Sequence, residues 1–129
     1  LPRSAEVDSE VIFRLQESVD PRQPLSRYSV HLRERINWLE GSFATLSVDV
    51  RTPTRLVVLK HERPLCLHYE PALGALFFSS RYIFLRQVFG QSVIMEKLED
   101  GAGYCFDADT LSSYGSAPTD HFPLAPGAL

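Results

Sequence analysis

Residues 39–50 read Leu39-Glu40-Gly41-Ser42-Phe43-Ala44-Thr45-Leu46-Ser47-Val48-Asp49-Val50, and within them the hydrophobic period changes. From Phe43 onward, Ala44, Leu46, Val48 and Val50 alternate with Phe43, Thr45, Ser47 and Asp49, as in a strand whose successive side chains point to opposite faces. Upstream, Leu25, Tyr28, Leu32, Ile36 and Leu39 recur every three to four residues, the spacing of one helical face, and Gly41 is placed to end that run. A helical part gives way to a sheet part at this border.

Working outward, Asp20-Pro21 and Pro24 punctuate a turn before the helical run. Ahead of that turn, Asp8-Ser9-Glu10 supplies an N-cap candidate and a first-turn acid before Val11, Ile12 and Leu15, which predicts a helix over 9–17. On the other side, Arg51-Thr52-Pro53-Thr54 reads as a turn, and 56–60, 65–69 and 75–79 read as short strands rich in Val, Leu and Phe. Their links, 61–64 and 70–74, have hairpin length and predict an antiparallel meander. Tyr82, Leu85 and Phe89 are at helical spacing within 81–89, and 92–98 and 104–106 read as further strands around Asp100-Gly101-Ala102-Gly103. There is no internal repeat. The expected class is α+β, two helices followed by an antiparallel sheet and covering one of its faces.

Residues 111–129 contain Pro118, Pro123, Pro126, Gly115 and Gly127 and no lysine or arginine. Proline this dense is expected not to continue a sheet ladder, so 1–110 is read as the domain and 111–129 as a Pro-rich arm or linker.

The chain has 129 residues, which against a usual ~100 to 200 per domain fits one domain or a piece of one. A hydrophobic share of 44% with 22% charged residues fits a packed core. Sixteen acids against thirteen bases leave a net charge of −3, without the basic surplus that nucleic-acid binding requires. The longest uncharged apolar stretch, 72–78, falls far short of the ~20 residues that span a bilayer, so no membrane span is expected. Cys66 and Cys105 lie in regular apolar segments and fit reduced thiols and a cytoplasmic setting. The sequence opens at Leu1, with Met95 its only methionine, and an upstream segment is expected to have been removed.

Cys66 and His68 sit two apart on one strand and share a face, which brings a thiol and an imidazole near each other. Nucleophilic catalysis also needs the base within hydrogen-bond reach and a group to orient it, so a core Cys beside a half-exposed His is the simpler reading. Cys66, His68, His61 and Cys105 lack the ligand spacings of a zinc site, and no metal or cofactor is expected. Gly101-Ala102-Gly103 is a turn rather than a phosphate cradle. Arg33, Glu34, Arg35, Glu96, Glu99 and Asp100 read as solvated or turn residues. Asp8, preceding a helix, can cap it or hold a ligand's ammonium group, and capping is the commoner role.

Taken in order, Asp8-Ser9-Glu10-Val11-Ile12, Leu39-Glu40-Gly41-Ser42-Phe43-Ala44, Arg63-Pro64-Leu65 and Phe77-Phe78-Ser79-Ser80 resemble the later half of class II glutamine amidotransferase domains. These are the N-terminal-nucleophile glutaminases joined to glucosamine-phosphate synthase, amidophosphoribosyltransferase and asparagine synthetase. The similarity covers about 8–106, and Met95-Glu96-Lys97-Leu98-Glu99-Asp100-Gly101 is similar to the family's closing strand and turn.

The resemblance implies half of an α/β/β/α sandwich and a part in hydrolysing glutamine to glutamate and ammonia, which passes to a synthase domain. In such domains an N-terminal Cys attacks the side-chain amide, its own α-amine takes the proton, and an Asn-Gly pair stabilises the oxyanion. Asp8 matches the aspartate that binds the substrate's α-amino group and is the one substrate-binding residue the resemblance assigns here. The nucleophile, the carboxylate-binding arginine and the oxyanion motif belong to the half that this chain lacks, so no catalytic residue is expected in it and it should not hydrolyse glutamine alone. Lys60 stands where the family has an arginine before Pro-Leu, and Arg81 stands where an acid usually follows. The alternative is a non-catalytic domain of the same shape that binds a protein partner or an amino-acid ligand. Half a sandwich would leave one apolar sheet face uncovered, which implies the missing N-terminal half, a synthase domain or a homodimer partner against it.

Overall fold

The computed structural model describes residues 8–90, 96–111 and 117–127. Helix α1 spans Ser9–Glu17, and its N-cap is Asp8, whose extended backbone lets Oδ1 accept the Glu10 N–H at 2.9 Å. Ile12 and Gln16, one turn apart, are buried against the rest of the fold. Helix α2, Leu25–Ile36, begins after Pro24 and turns Tyr28, Leu32 and Ile36 inward. It stops short of Leu39 because Asn37 is already engaged by the C-terminal segment. Its Oδ1 accepts the Ala125 N–H and its carbonyl accepts the Gly127 N–H. Gly41, at φ 120°, turns the chain into the sheet rather than capping the helix.

Among the described residues, seven strands form two antiparallel sheets. The first has the order β1 (Phe43–Val48), β2 (Arg55–His61), β6 (Ala102–Asp107), β7 (Asp120–Pro123). The second has the order β4 (Ala75–Ser79), β3 (Cys66–Glu70), β5 (Glu96–Lys97). The expected single meander is therefore corrected. β2 and β3 are joined by a short link but do not pair, and the chain leaves the first sheet at Glu62, which has φ 58°. The physical reason lies in β2, which is apolar on both faces and needs a layer on each side. Val57 and Leu59 join Ile12, Leu32, Ile36 and Cys105 in the core under the helices, whereas Val58 joins Leu67, Tyr104 and Phe106 in a second core between the sheets.

Within the segment read as a Pro-rich arm, residues 120–124 depart from expectation. Asp120–Pro123 pairs with β6 in the register Ala102↔Pro123 to Cys105↔Asp120, and Phe122 and Leu124 are buried. Pro123 is compatible with this ladder because β7 is an edge strand and proline sits at its end. Helix α3, Tyr82–Phe89, matches the helical spacing noted above and lies on the outer face of the second sheet, where the Phe89 ring is 4.7 Å from Phe77 and 4.8 Å from His68. Of the strand expected over 92–98, Glu96–Lys97 pairs with β3, and 92–95 lie outside the described residues.

The layers thus run α1 and α2, first sheet, second sheet, α3. The first sheet packs under the helices on one face and against the second sheet on the other, but Leu46 and Val48, on the same face as Val58, stay exposed along β1. Further exposed apolar side chains sit on α1 (Phe13) and on α3 (Ile83, Phe84, Val88). No helix among the described residues is long and apolar enough to cross a membrane.

Candidate functional site

Asp8 stands exposed at the N-terminus of α1, where its carboxylate meets the Glu10 N–H. The local geometry is that of a cap. A carboxylate at this exposed position can also meet an ammonium group.

β3 carries Cys66 and His68 on the outer face of the second sheet, but they do not form a working pair. His68 Nε2 is 3.1 Å from Glu70 Oε1 and its ring packs on Phe89, while Cys66 pairs across the ladder with Ser79. Cys105 lies on the helix side of the first sheet, fully buried, and burial pushes its thiol up to about 12. It cannot converge with Cys66 on one ion. His61 is held elsewhere, its Nδ1 3.0 Å from the Gly41 carbonyl oxygen. Among the described residues no group of three or more His, Cys, Asp or Glu is placed to hold a metal.

Lys60 is buried and its Nζ lies 2.8 Å from Asp100 Oδ1, which also accepts the Glu62 N–H at 2.7 Å. That hydrogen bond from Lys60 holds the Asp100 carboxyl below the usual carboxylate value. Asp100 is therefore not the simple turn residue expected from sequence. It pins the point where the chain passes from one sheet to the other. Arg81, at the N-terminus of α3, is exposed and its backbone N–H is bonded to Ser79 Oγ.

A cleft of about 340 Å³ opens where the C-terminal half of α1 crosses the end of β1. Gln16 reaches across it, donating from Nε2 to Ser47 Oγ at 2.9 Å, while its Oε1 is buried without a partner. Arg51 closes one end of this seam, bridging the Asp49 carboxylate at 2.7 Å and the Glu17 carbonyl at 3.0 Å. Sequence reading missed this cleft. The available signal was a glutamine one turn after Ile12, on the face that had to be buried.

No family model matches the chain, and no solved structure matches it. The chain is 35% identical over 49 residues to 7-cyano-7-deazaguanine synthase 2 of Sulfurisphaera tokodaii. The matched stretch is 38% of this chain and 11% of that protein, whose name is that of a different family from the amidotransferases resembled in sequence.

Proposed function

We propose that this chain is part of a class II glutamine amidotransferase domain, in which Asp8 holds the α-ammonium group of glutamine while a catalytic half outside this sequence performs the hydrolysis. The observation that carries this reading is the position of Asp8, exposed at the start of the first helix in the motif Asp8-Ser9-Glu10-Val11-Ile12. The order helices, sheet, sheet, helix supports it, because it is the order an N-terminal-nucleophile sandwich would require. The partial relative is named for making a cyano-substituted deazaguanine. Ammonia is one chemically sufficient source of a cyano nitrogen.

A second reading, a non-catalytic domain binding a partner or an amino-acid ligand, draws on Lys60. The family's arginine is replaced there by a side chain already engaged with Asp100. Titration of the chain with L-glutamine, followed by amide NMR, tests the role of Asp8. The expected result is saturable shifts at Ser9, Glu10 and Val11 that are lost in Asp8→Ala and absent with glutarate, which has no amine. Equal responses to glutamine and glutarate would overturn it.

A further inference from the structure

At the opposite end of α1 from Asp8, the cleft between α1 and β1 combines features of a second binding site. Gln16 is only 8% exposed and its Oε1 has no hydrogen-bond partner, an arrangement that is costly unless something supplies a donor. Thr45, two residues before Ser47 on the same strand face, carries the other buried side-chain oxygen without a partner among the described residues. Ser47 Oγ accepts from Gln16 and keeps its own O–H to donate. One acceptor and one donor thus stand side by side, the complement of an amide group.

We propose that this cleft binds a small neutral carboxamide carried on an apolar body. Phe13, Tyr28 and Val57 supply apolar walls, and about 340 Å³ falls within the ~300 to 1,000 Å³ usual for small-molecule sites. The rim carries the carboxylates of Glu17 and Asp49, and the Arg51 guanidinium is already taken up by the Asp49 carboxylate and the Glu17 backbone carbonyl, so a ligand carboxylate is disfavoured. Glutamine, which carries its own carboxylate, therefore falls outside this ligand class. An ammonium group would satisfy Gln16 but would leave the Ser47 hydroxyl with no acceptor.

The test is NMR titration of the 129-residue chain with benzamide, benzoate and ethylbenzene, read at the Val57 methyls and the Gln16 side-chain amide. Benzamide is expected to give saturable shifts at these groups, with benzoate and ethylbenzene at least about tenfold weaker. Gln16→Leu is expected to weaken benzamide about tenfold and to spare ethylbenzene. Ser47→Ala gives the same readout if Gln16→Leu does not fold. Equal affinity for the three probes, no response at these methyls, or benzamide binding unchanged by a folded variant would overturn the proposal.

Discussion

The Lys60 ammonium and the Asp100 carboxylate, forty residues apart in sequence, meet at 2.8 Å where the chain crosses from the first sheet to the second. Lys60 is almost fully buried while Asp100 is more than half exposed, so the pair spans the boundary between core and solvent. Neutralising the carboxylate would leave a buried cation without its counter-charge, while an amide oxygen in its place still accepts from Lys60 and from the Glu62 N–H.

Asp100→Asn is therefore expected to cost about 1–3 kcal/mol in urea unfolding at pH 7. Because the folded-state pKa of Asp100 lies below its ordinary value of 3.8, its contribution is present above that value and is lost as pH falls through the lower, folded value. The gap between wild type and Asp100→Asn should accordingly close in strongly acid solution. A gap that is unchanged there would show that the charge is not what matters.

Gly103 tests the docking of the C-terminal strand. A Cβ at this position would lie 2.4 Å from the Phe122 ring, which is itself buried on β7. Gly103→Ala should cost about 1–3 kcal/mol by overpacking, and Phe122→Leu in the same chain should recover part of that loss. Strict additivity of the two substitutions would mean that β7 does not pack on β6 as described.

The two thiols should differ sharply in reactivity. Cys66 is partly exposed, whereas Cys105 is fully buried. A thiol-modifying reagent at pH 8 should label Cys66 in the folded chain and Cys105 only after denaturant is added. Mass spectrometry of the labelled peptides reads the outcome, and rapid labelling of Cys105 in the native state would contradict the core arrangement.

Alkaline stability follows from the same core. Burial raises Cys105 from 9.0 and Tyr28 from 10.0, each to about 12, so both groups hold their protons more tightly when folded. Their contribution is intact below the unfolded values and lost as pH rises, because only the unfolded chain then ionises. Stability should fall progressively between about pH 9 and 12, and Cys105→Ala should flatten the first part of that fall.

Much of the fold was legible because local periodicity carried it. The α1 boundaries followed from the cap at Asp8 and the spacing of Ile12 and Leu15, and β1 followed from the alternation after Phe43. Sheet membership was not legible, because a short link between β2 and β3 looks like a hairpin whether or not the strands pair. It is settled by burial of Val57 and Val58 on opposite faces, which no local pattern states. The strand at 120–123 was hidden by Pro123 and the prolines flanking it, since an edge position, which makes Pro123 harmless, depends on strand order. At Asp8, the helix cap was visible in the sequence. The pairing of Lys60 with Asp100 and of Gln16 with Ser47 joins residues 40 and 31 positions apart, beyond the reach of spacing rules.

The role proposed for Asp8 is tested most directly by measuring glutamate and ammonia release from L-glutamine by the full encoded protein that contains this chain, wild type beside Asp8→Ala. The predicted result is release by the wild type and a loss in Asp8→Ala of about hundredfold in kcat/KM, carried mainly by a raised KM, as expected when a charged substrate-binding contact is removed. Release that is indifferent to Asp8→Ala, or no release by the wild type, would contradict it.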